Sequence, residues 1–183
     1  RGNAPMTKEE IRSISISKRA LTKQSIVYDI GAGTGSIGIE CALQATDGTV
    51  YAIEKKADAL ELLAKNQQRC GVTNLKIVAG EAPLAMDELP APTHTFIGGS
   101  SGNMKEIVNL LLEKNPSVRI VINCIALETV AEVMNLLKVI QFEFQDIVQV
   151  SVGRSKTLGS YHMMMGQNPV YIITLQGKMD EIV

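Results

Sequence analysis

A short glycine-rich turn, Asp29-Ile30-Gly31-Ala32-Gly33-Thr34-Gly35, contains the residues with the clearest chemical potential. An apolar run precedes this turn, and a segment with helical character follows it. Small residues at the end of a strand allow backbone N–H groups to approach a ligand closely, and the N-terminus of the next helix favours negative charge. The turn therefore predicts a binding site for a ligand with an anionic group, either a pyrophosphate or a carboxylate.

The spacing of the glycines distinguishes these two kinds of ligand. A dinucleotide site has the pattern G-x-G-x-x-G, which would require glycine at position 36, where this chain has Ser36. The observed D-x-G-x-G-x-G pattern is typical of enzymes that bind S-adenosylmethionine. Glu54 directly follows the next predicted strand, where an acidic side chain can accept hydrogen bonds from both ribose hydroxyls. A simple tight connection is the alternative interpretation of the turn, and the flanking elements and Glu54 disfavour it.

A second turn, Gly80-Glu81-Ala82, follows the third predicted strand. In enzymes that bind S-adenosylmethionine through such a glycine turn, the end of the third strand contacts adenine. Glu81 would therefore accept a hydrogen bond from the exocyclic amine. Ala82 would act only through its backbone N–H, which would bind a ring nitrogen. A solvated turn residue is an equally good interpretation of Glu81.

The fourth predicted strand ends in a flexible loop, Ile97-Gly98-Gly99-Ser100-Ser101-Gly102. Amino-group methyltransferases usually have Asn/Asp-Pro-Pro-aromatic at this position. Gly98 and Gly99 instead indicate room for a bulky substrate with a carbon nucleophile. The segment Asn168-Pro169-Val170-Tyr171 looks superficially like the missing motif, but it opens the last strand, and we expect it to be structural and far from the site.

Strands and helices alternate along most of the chain and position these turns. Thr7-Lys8-Glu9-Glu10 predicts a capping box, with Thr7 as the N-cap of a first helix and Glu10 reaching back to it. The predicted strands cover residues 25–30, 49–53, 75–79, 93–97 and 118–122, and the predicted helices cover 36–45, 56–70, 104–114 and 127–139. An extended segment at 142–152, a Gly-, Ser- and Met-rich stretch and an apolar strand at 169–175 follow.

This alternation predicts an α/β fold with a mostly parallel sheet and helices on both faces. The last two strands have no helix between them, so they must form an antiparallel pair at one edge. Five parallel strands with such a C-terminal hairpin are the seven-stranded, Rossmann-like plan of class I S-adenosylmethionine-dependent methyltransferases. We expect one methyltransferase domain over residues 1–183, in which an N-terminal helix within residues 1–22 closes over the cofactor site.

The composition disfavours several classes of protein. A formal net charge of −1 lacks the positive field that drives non-specific phosphate binding, so we expect no nucleic-acid partner. No run of about 18 apolar residues occurs, which predicts no membrane partner. The three cysteines are widely spaced and form no Cys-x-x-Cys, so we expect no metal site and a reducing, cytoplasmic location.

Several segments resemble the methyltransferases of cobalamin biosynthesis that act on cobalt-precorrin-6B, a family that includes the C-terminal half of precorrin-6Y methyltransferase. The resemblance covers nearly the whole chain. It implies methylation of carbon 15, decarboxylation of the ring C acetate, and a homotetramer. It also implies cofactor contacts from Thr7, the Gly31 to Gly35 loop, Glu54 and Ala82. The similar segments are Pro5–Arg12, Asp29–Gly35, Val50–Glu54, Gly80–Pro83, Ile97–Ser100, Ala126–Thr129 and Gly153–Arg154 through Asn168–Pro169.

A tetrapyrrole substrate with many carboxylates should be bound by cations, and arginine pairs carboxylates with two hydrogen bonds. The candidates are Arg12, Arg154, Lys156 and His162. For each of them alone, a solvated surface position is the alternative. Extra length between Arg154 and Asn168, which includes Met163-Met164-Met165, leaves the substrate contacts open. We expect these three methionines and the apolar strand Val170 to Leu175 to lie in the core or at a subunit interface.

No catalytic residue is assigned, because a nucleophilic carbon needs alignment with the methyl donor more than it needs a strong base. Glu128 is a candidate for proton handling, although an acid at a helix N-terminus is a sufficient account of it. Three alternatives remain: an RNA or protein methyltransferase of the same fold, a dehydrogenase, which Ser36 disfavours, and a cofactor-binding module of a split enzyme.

Overall fold

The computed structural model describes residues 7–178, so Pro5 and Met6 of the family-like N-terminal segment lie outside the described residues. The four strands that end at Ile30, Glu54, Ile97 and Cys124 are buried along nearly their whole length, as expected for parallel strands that are covered on both faces. The strands are β1 Ile26–Ile30, β2 Thr49–Glu54, β3 Leu75–Ala79, β4 His94–Ile97, β5 Arg119–Cys124, β6 Phe144–Val150, β7 Gly153–Leu158, β8 Tyr161–Gly166 and β9 Val170–Gln176. The α-helices are α1 Glu9–Arg19, α2 Ser36–Gln44, α3 Ala57–Cys70, α4 Met104–Lys114 and α5 Leu127–Val139.

Seven of these strands form one sheet in the order β3-β2-β1-β4-β5-β9-β6. The first five are parallel, and β9 is antiparallel to both β5 and β6. The predicted mostly parallel sheet with an antiparallel C-terminal pair is therefore confirmed, with β9 inside the sheet and β6 at its edge. The strand order reverses between β1 and β4, and ligands of open α/β sheets bind outside the carboxyl ends of strands at such a point.

Two hydrophobic clusters cover the two faces of the sheet. Residues of α1, α2 and α3 pack on one face, together with Val27 of β1 and Phe96 of β4. Residues of α4 and α5 pack on the other face, together with Tyr28 and Ile30 of β1. Successive side chains of a strand point to opposite faces. Asp29 therefore points toward the face that α1, α2 and α3 cover.

The predicted capping box is wrong. Helix α1 begins at Glu9 with Lys8 as its N-cap, and no side chain within residues 7–178 caps it. Glu10 is therefore the second helical residue, one position too early to reach back to the cap in a capping box. Its carboxylate instead accepts a hydrogen bond from Arg154 Nη2 at 2.5 Å.

The Gly-, Ser- and Met-rich stretch forms a hairpin that the sequence did not predict. Strands β7 and β8 pair antiparallel as a separate two-stranded sheet, with Leu158 opposite Tyr161 and the turn at Gly159-Ser160. Every residue of both strands is exposed. Because neither face is buried, no alternation of apolar and polar residues marks these strands in the sequence.

Within residues 7–178, none of the helices combines the length and the apolar character that crossing a membrane requires.

Candidate functional site

A cavity of about 640 Å³ lies at the carboxyl ends of the parallel strands, where the strand order reverses. Its size is in the range of small-molecule and cofactor sites. One part is lined by the turns after β1, β2 and β3, which include Gly31, Glu54 and Glu81. The other part is lined by the ends of β4 and β5, the start of α5 and the start of β9. One continuous cavity thus joins the predicted cofactor turns to a second region.

Glycine is required at position 31 by both backbone conformation and space. Gly31 has a φ of +71°, in the left-handed region that glycine adopts readily. A Cβ at this position would lie 2.9 Å from the backbone nitrogen of Gly99. The glycine turn after β1 and the Gly98-Gly99 loop after β4 therefore abut each other, and both Gly98 and Gly99 line the cavity.

Most N–H groups of the glycine turn donate hydrogen bonds within the protein. The Gly31 and Ala32 N–H groups donate to the Ile53 carbonyl at 3.0 and 3.1 Å, and the Gly33 N–H donates to Glu54 Oε2 at 2.9 Å. Ser36, in the first turn of α2, also lines the cavity. Gly35, the N-cap of this helix, has no side chain to cap it, and the N–H of Gly38 already donates to Asp29. The first N–H groups of the helix, those of Ser36 and Ile37, are therefore the ones available to an anion.

The Glu54 carboxylate is held rigidly at the end of β2. In addition to the bond from Gly33, its Oε1 accepts hydrogen bonds from the Lys55 and Lys56 N–H groups at 2.8 and 2.9 Å. A carboxylate has about four acceptor positions. Three of them are used by backbone donors, so a ligand hydroxyl can be bound by the remaining position on Oε2 without any rearrangement.

The turn after β3 places Glu81 and Ala82 on the wall of the same cavity. The Lys55 ammonium donates to Glu81 Oε1 at 2.6 Å. This bond, followed by one with Ser101, holds the pKa of Glu81 below its ordinary value. Ala82 is buried, and its carbonyl accepts a hydrogen bond from Asn103 Nδ2 at 3.2 Å. The position of both residues is compatible with the predicted adenine contacts, which stay a prediction.

Asp29 lines the cavity, although the sequence indicated no role for it beyond its place in the glycine-rich motif. It is 1% exposed, and its Oδ2 accepts the Gly38 N–H at 2.8 Å, whereas Oδ1 has no partner within residues 7–178. Burial raises the pKa of Asp29 from 3.8 to about 6, against the opposing effects of the Arg19 charge and the Gly38 hydrogen bond. A buried, unpartnered carboxylate oxygen in a cavity wall is a site for a ligand donor.

Two residues of the predicted cofactor loop lie behind the cavity wall. Gly35 has a φ of +78° and is the N-cap of α2, and a Cβ there would collide with the Leu63 side chain. Thr34 accepts a hydrogen bond from Asn66 Nδ2 through its carbonyl at 2.9 Å. Both residues shape the turn and are outside the cavity lining, whereas Thr7 is part of that lining.

The two predicted arginines are paired with acids on the protein. Arg12 forms an ion pair with Glu40 and also donates to the Thr7 carbonyl at 3.0 Å. Arg154 is paired with Glu10. Neither arginine belongs to the cavity lining, so the structure does not bring them to the second region of the cavity.

The other two predicted cations lie on the exposed hairpin. Lys156 is on β7 and His162 is on β8, and neither is part of the cavity lining. The lysines that do line the cavity are Lys8, Lys55 and Lys56. Lys8 directly precedes α1, and Lys55 and Lys56 connect β2 to α3, so the ends of these elements place all three lysines at the cavity. The distribution of charges along the sequence did not indicate this position.

The prediction that Asn168 lies far from the site is wrong. Asn168 and Gln167 line the second region of the cavity, and Gln167 Oε1 is buried without a partner within residues 7–178. The reason is topological: β9 runs antiparallel to β5, so the first residues of β9 lie at the same end of the strands as the last residues of β5. The sequence predicts the antiparallel pair but not that β9 is inserted next to β5, and this insertion brings the start of β9 beside the end of β5.

Helix α5 supplies the remaining wall of the second region. Thr129 and Glu132 line the cavity, as do Asn123 and Cys124 at the end of β5. Burial, and then the charge of Glu132, raise the pKa of the Cys124 thiol to about 11, so this thiol stays neutral. Glu128 is exposed in the first turn of α5 and outside the lining. Its predicted role in proton handling stays a prediction.

The fold and the position of the cavity define a class I S-adenosylmethionine-dependent methyltransferase. A precorrin-6Y C5,15-methyltransferase from Geobacter metallireducens matches with a TM-score of 0.89 and 31% identity, over 96% of this chain and 93% of that chain. An O-methyltransferase from Thermotoga maritima matches with a TM-score of 0.78 over 98% of this chain and 69% of that chain, and its 15% identity shows the fold alone.

The chain belongs to the precorrin methyltransferase family, because the family model of the precorrin methyltransferase domain matches residues 1–176. A cobalt-precorrin-6B C(15)-methyltransferase (decarboxylating) from Salmonella typhimurium is 35% identical over 181 residues, which cover 98% of this chain and 93% of the relative. A solved precorrin-8W decarboxylase from Methanobacterium thermoautotrophicum has a TM-score of 0.86 at 31% identity and covers 94% of this chain and 92% of that chain.

Proposed function

We propose that this chain transfers a methyl group from S-adenosylmethionine to carbon 15 of cobalt-precorrin-6B, or of its cobalt-free counterpart, and releases carbon dioxide from the ring C acetate. The observation that carries the proposal is one continuous cavity with two regions. The glycine turn and Glu54 line the first region, and both apolar and polar residues line the second. Relatives that share about a third of the residues over nearly the whole chain bear names for this activity.

The first region of the cavity fits the three polar parts of the cofactor. The N-terminus of α2 at Ser36 suits the carboxylate of the methionine moiety. The free Oδ1 of Asp29 suits its ammonium group, and the remaining acceptor position of Glu54 suits a ribose hydroxyl. Thr7, the Gly31 to Gly33 turn, Glu81 and Ala82 complete this set, while Thr34 and Gly35 hold the turn in shape.

The second region has the properties that a tetrapyrrole requires. The bound cofactor supplies a methyl group on a positively charged sulfur, and a reduced tetrapyrrole carbon with enamine character is already a nucleophile. The task of the protein is therefore alignment and exclusion of water rather than proton removal. Ile125 and Ala126 provide apolar surface, and Asn123, Gln167 and Asn168 provide polar groups around it. The electrons released with carbon dioxide pass into the conjugated macrocycle, so that step also needs no nucleophile from the chain.

The same proposal includes a homo-oligomer, with a tetramer expected from the family resemblance, in which the β7–β8 hairpin contacts other copies. A two-stranded hairpin with both faces exposed is marginally stable in water. This one exposes large apolar side chains, with Tyr161 74% and Met164 69% exposed. These two side chains lie on opposite faces of the hairpin, and large exposed apolar side chains that group together mark interaction sites. We further propose that the chain acts as one domain, works in the cytoplasm and has no nucleic-acid partner.

The test is incubation with S-adenosylmethionine and either cobalt-precorrin-6B or precorrin-6B, followed by mass spectrometry. We expect a product that has gained one methyl group and lost carbon dioxide. Glu54→Gln should slow the reaction, whereas Glu61→Gln, on the exposed face of α3, should not. An unchanged substrate mass, under conditions in which the Salmonella relative reacts, would sink the proposal.

A further inference from the structure

Arg19, the last residue of α1, is fully buried but has no ion-pair partner within residues 7–178. Its Nη1 donates to Cys41 Sγ, and its guanidinium lies over the Phe96 ring with Cζ 4.7 Å from the centroid. Its Nε and Nη2 atoms are buried without hydrogen-bond partners in the described part of the chain. A buried charge is costly unless it is compensated, so this arginine requires an explanation.

Two independent contacts place Arg19 beside Asp29. Phe96 of β4, under the guanidinium, is the register partner of Asp29 in the neighbouring strand, and paired residues of parallel strands face the same side of the sheet. Cys41, which accepts the hydrogen bond from Arg19, lies three residues after Gly38, whose N–H binds Asp29. Residues three apart are neighbours on one face of a helix. Arg19 and Asp29 are therefore adjacent beneath α2.

The pKa shifts of the surrounding groups agree with this position of Arg19 beside Asp29. The groups that face Asp29 are Arg19 from α1, Glu54 from β2, and the Gly38 N–H and Cys41 from α2, with Glu40 beyond Cys41. Arg19 opposes the rise in the pKa of Asp29, and it also lowers the pKa of Cys41 and of His94. Of these three groups, only Asp29 lines the cavity.

We propose that Arg19 is a positioning residue whose buried charge keeps the Asp29 carboxylate ionised, with its free oxygen available to the cofactor. The role in cofactor binding rests on the function proposed above, whereas the effect of Arg19 on Asp29 does not. Arginine keeps its charge inside proteins, which makes it suited to a permanent counter-charge beneath a binding site. The absence of a direct ion pair leaves Asp29 Oδ1 free for a ligand donor.

The first measurement follows the Asp29 carboxyl carbon by NMR between pH 4 and pH 9 in the cofactor-free protein. In the wild type we expect a midpoint near 6. Arg19→Met and Arg19→Gln remove the charge and should raise the midpoint by about one pH unit or more, about a tenfold change in the ionisation constant. Arg19→Lys keeps the charge and should leave the midpoint close to the wild-type value. Cys41→Ala removes the sulfur contact alone and should do the same.

The second measurement is the affinity for S-adenosylmethionine over the same pH range by isothermal titration calorimetry. Arg19→Met should weaken binding roughly two- to tenfold at pH 7, with recovery toward pH 9, because Asp29 is then ionised again. A structural role alone would instead weaken binding equally at every pH. If the wild type binds no S-adenosylmethionine but the NMR midpoint still moves, the proposed function fails and the effect of Arg19 on Asp29 stands.

A third comparison covers the case in which Arg19→Met does not fold, because that variant leaves the Asp29 charge uncompensated. The double variant Arg19→Met/Asp29→Asn removes both charges, so it should be more stable than Arg19→Met by a larger margin than Asp29→Asn is over the wild type. An unchanged Asp29 midpoint in the neutral variants overturns the proposal. A gain in stability from Asp29→Asn that is no larger with Arg19→Met than in the wild type does so as well.

Discussion

Replacing Asp29 with asparagine should make the protein more stable while it weakens cofactor binding. Burial raises the pKa of Asp29 from 3.8 to about 6, and this difference corresponds to about 3 kcal/mol of destabilisation at neutral pH. Asparagine is neutral and can still accept the Gly38 N–H, but it adds an N–H donor that needs an acceptor. We therefore expect Asp29→Asn to raise the free energy of unfolding by about 1–3 kcal/mol at pH 7.5.

The pH dependence of this gain has a defined sign. Between about pH 4 and pH 6, the folded protein holds a proton on Asp29 that the unfolded chain has released. The wild type therefore loses stability as the pH rises through this range, and the loss is complete above pH 6. The advantage of Asp29→Asn should be small near pH 4 and largest above pH 6. Taking the difference between the two proteins cancels the contributions of the other titrating groups.

Chemical denaturation at several pH values measures the gain in the free energy of unfolding of Asp29→Asn. Calorimetry with S-adenosylmethionine measures the loss of affinity of the same variant. Loss of a charge-assisted hydrogen bond should weaken binding by about 1.5–3 kcal/mol, or roughly 10- to 150-fold. Asp47→Asn makes the same chemical change at an exposed turn and should alter stability by less than about 0.5 kcal/mol. The reasoning is refuted if Asp29→Asn is less stable than the wild type at pH 7.5, or if the difference in stability does not change with pH.

Three further substitutions test the cavity and the hairpin. Gly31→Ala should cost about 1–2 kcal/mol of stability from its φ of +71°, and more from the clash with Gly99. Gly71→Ala, with a similar φ of +66° and no atom within 4 Å of the added Cβ, is the control for backbone strain in chemical denaturation. Glu54→Ala should weaken S-adenosylmethionine binding by roughly 1–3 kcal/mol in calorimetry, and an unchanged affinity would rule out the ribose contact. Met164→Lys should reduce the oligomer size in light scattering without changing cofactor affinity. A monomeric wild type would contradict the interface.

The local features of the cofactor site were readable from the sequence. The glycine turn depends on a few consecutive residues whose conformations only glycine adopts readily, such as φ of +71° at Gly31. Glu54 was found because the end of the second strand lies beside the end of the first in this type of sheet. Helix and strand bounds agree within a few residues for most elements, because buried strands and amphipathic helices leave distinct apolar patterns.

Features that depend on contacts between residues far apart in the chain could not be predicted from the sequence. The strands β7 and β8 were missed because both of their faces are exposed. Asn168 was misplaced because the sequence does not show that β9 lies between β5 and β6, which puts its first residues beside the end of β5. Arg12 was predicted to bind substrate, but a helix–helix contact places it against Glu40 on α2, 28 residues away.

The sequence by itself thus determined the class of cofactor, because that information lies in consecutive residues with special backbone conformations and in one strand end. The tertiary structure alone decided which polar groups remain free to bind a ligand. Asp29 is a motif residue in the sequence, but packing buries it, leaves its Oδ1 without a partner and brings Arg19 beneath it. Hydrogen bonding and burial are properties of neighbours in space, and the neighbours of Asp29 come from α1, α2, β2 and β4.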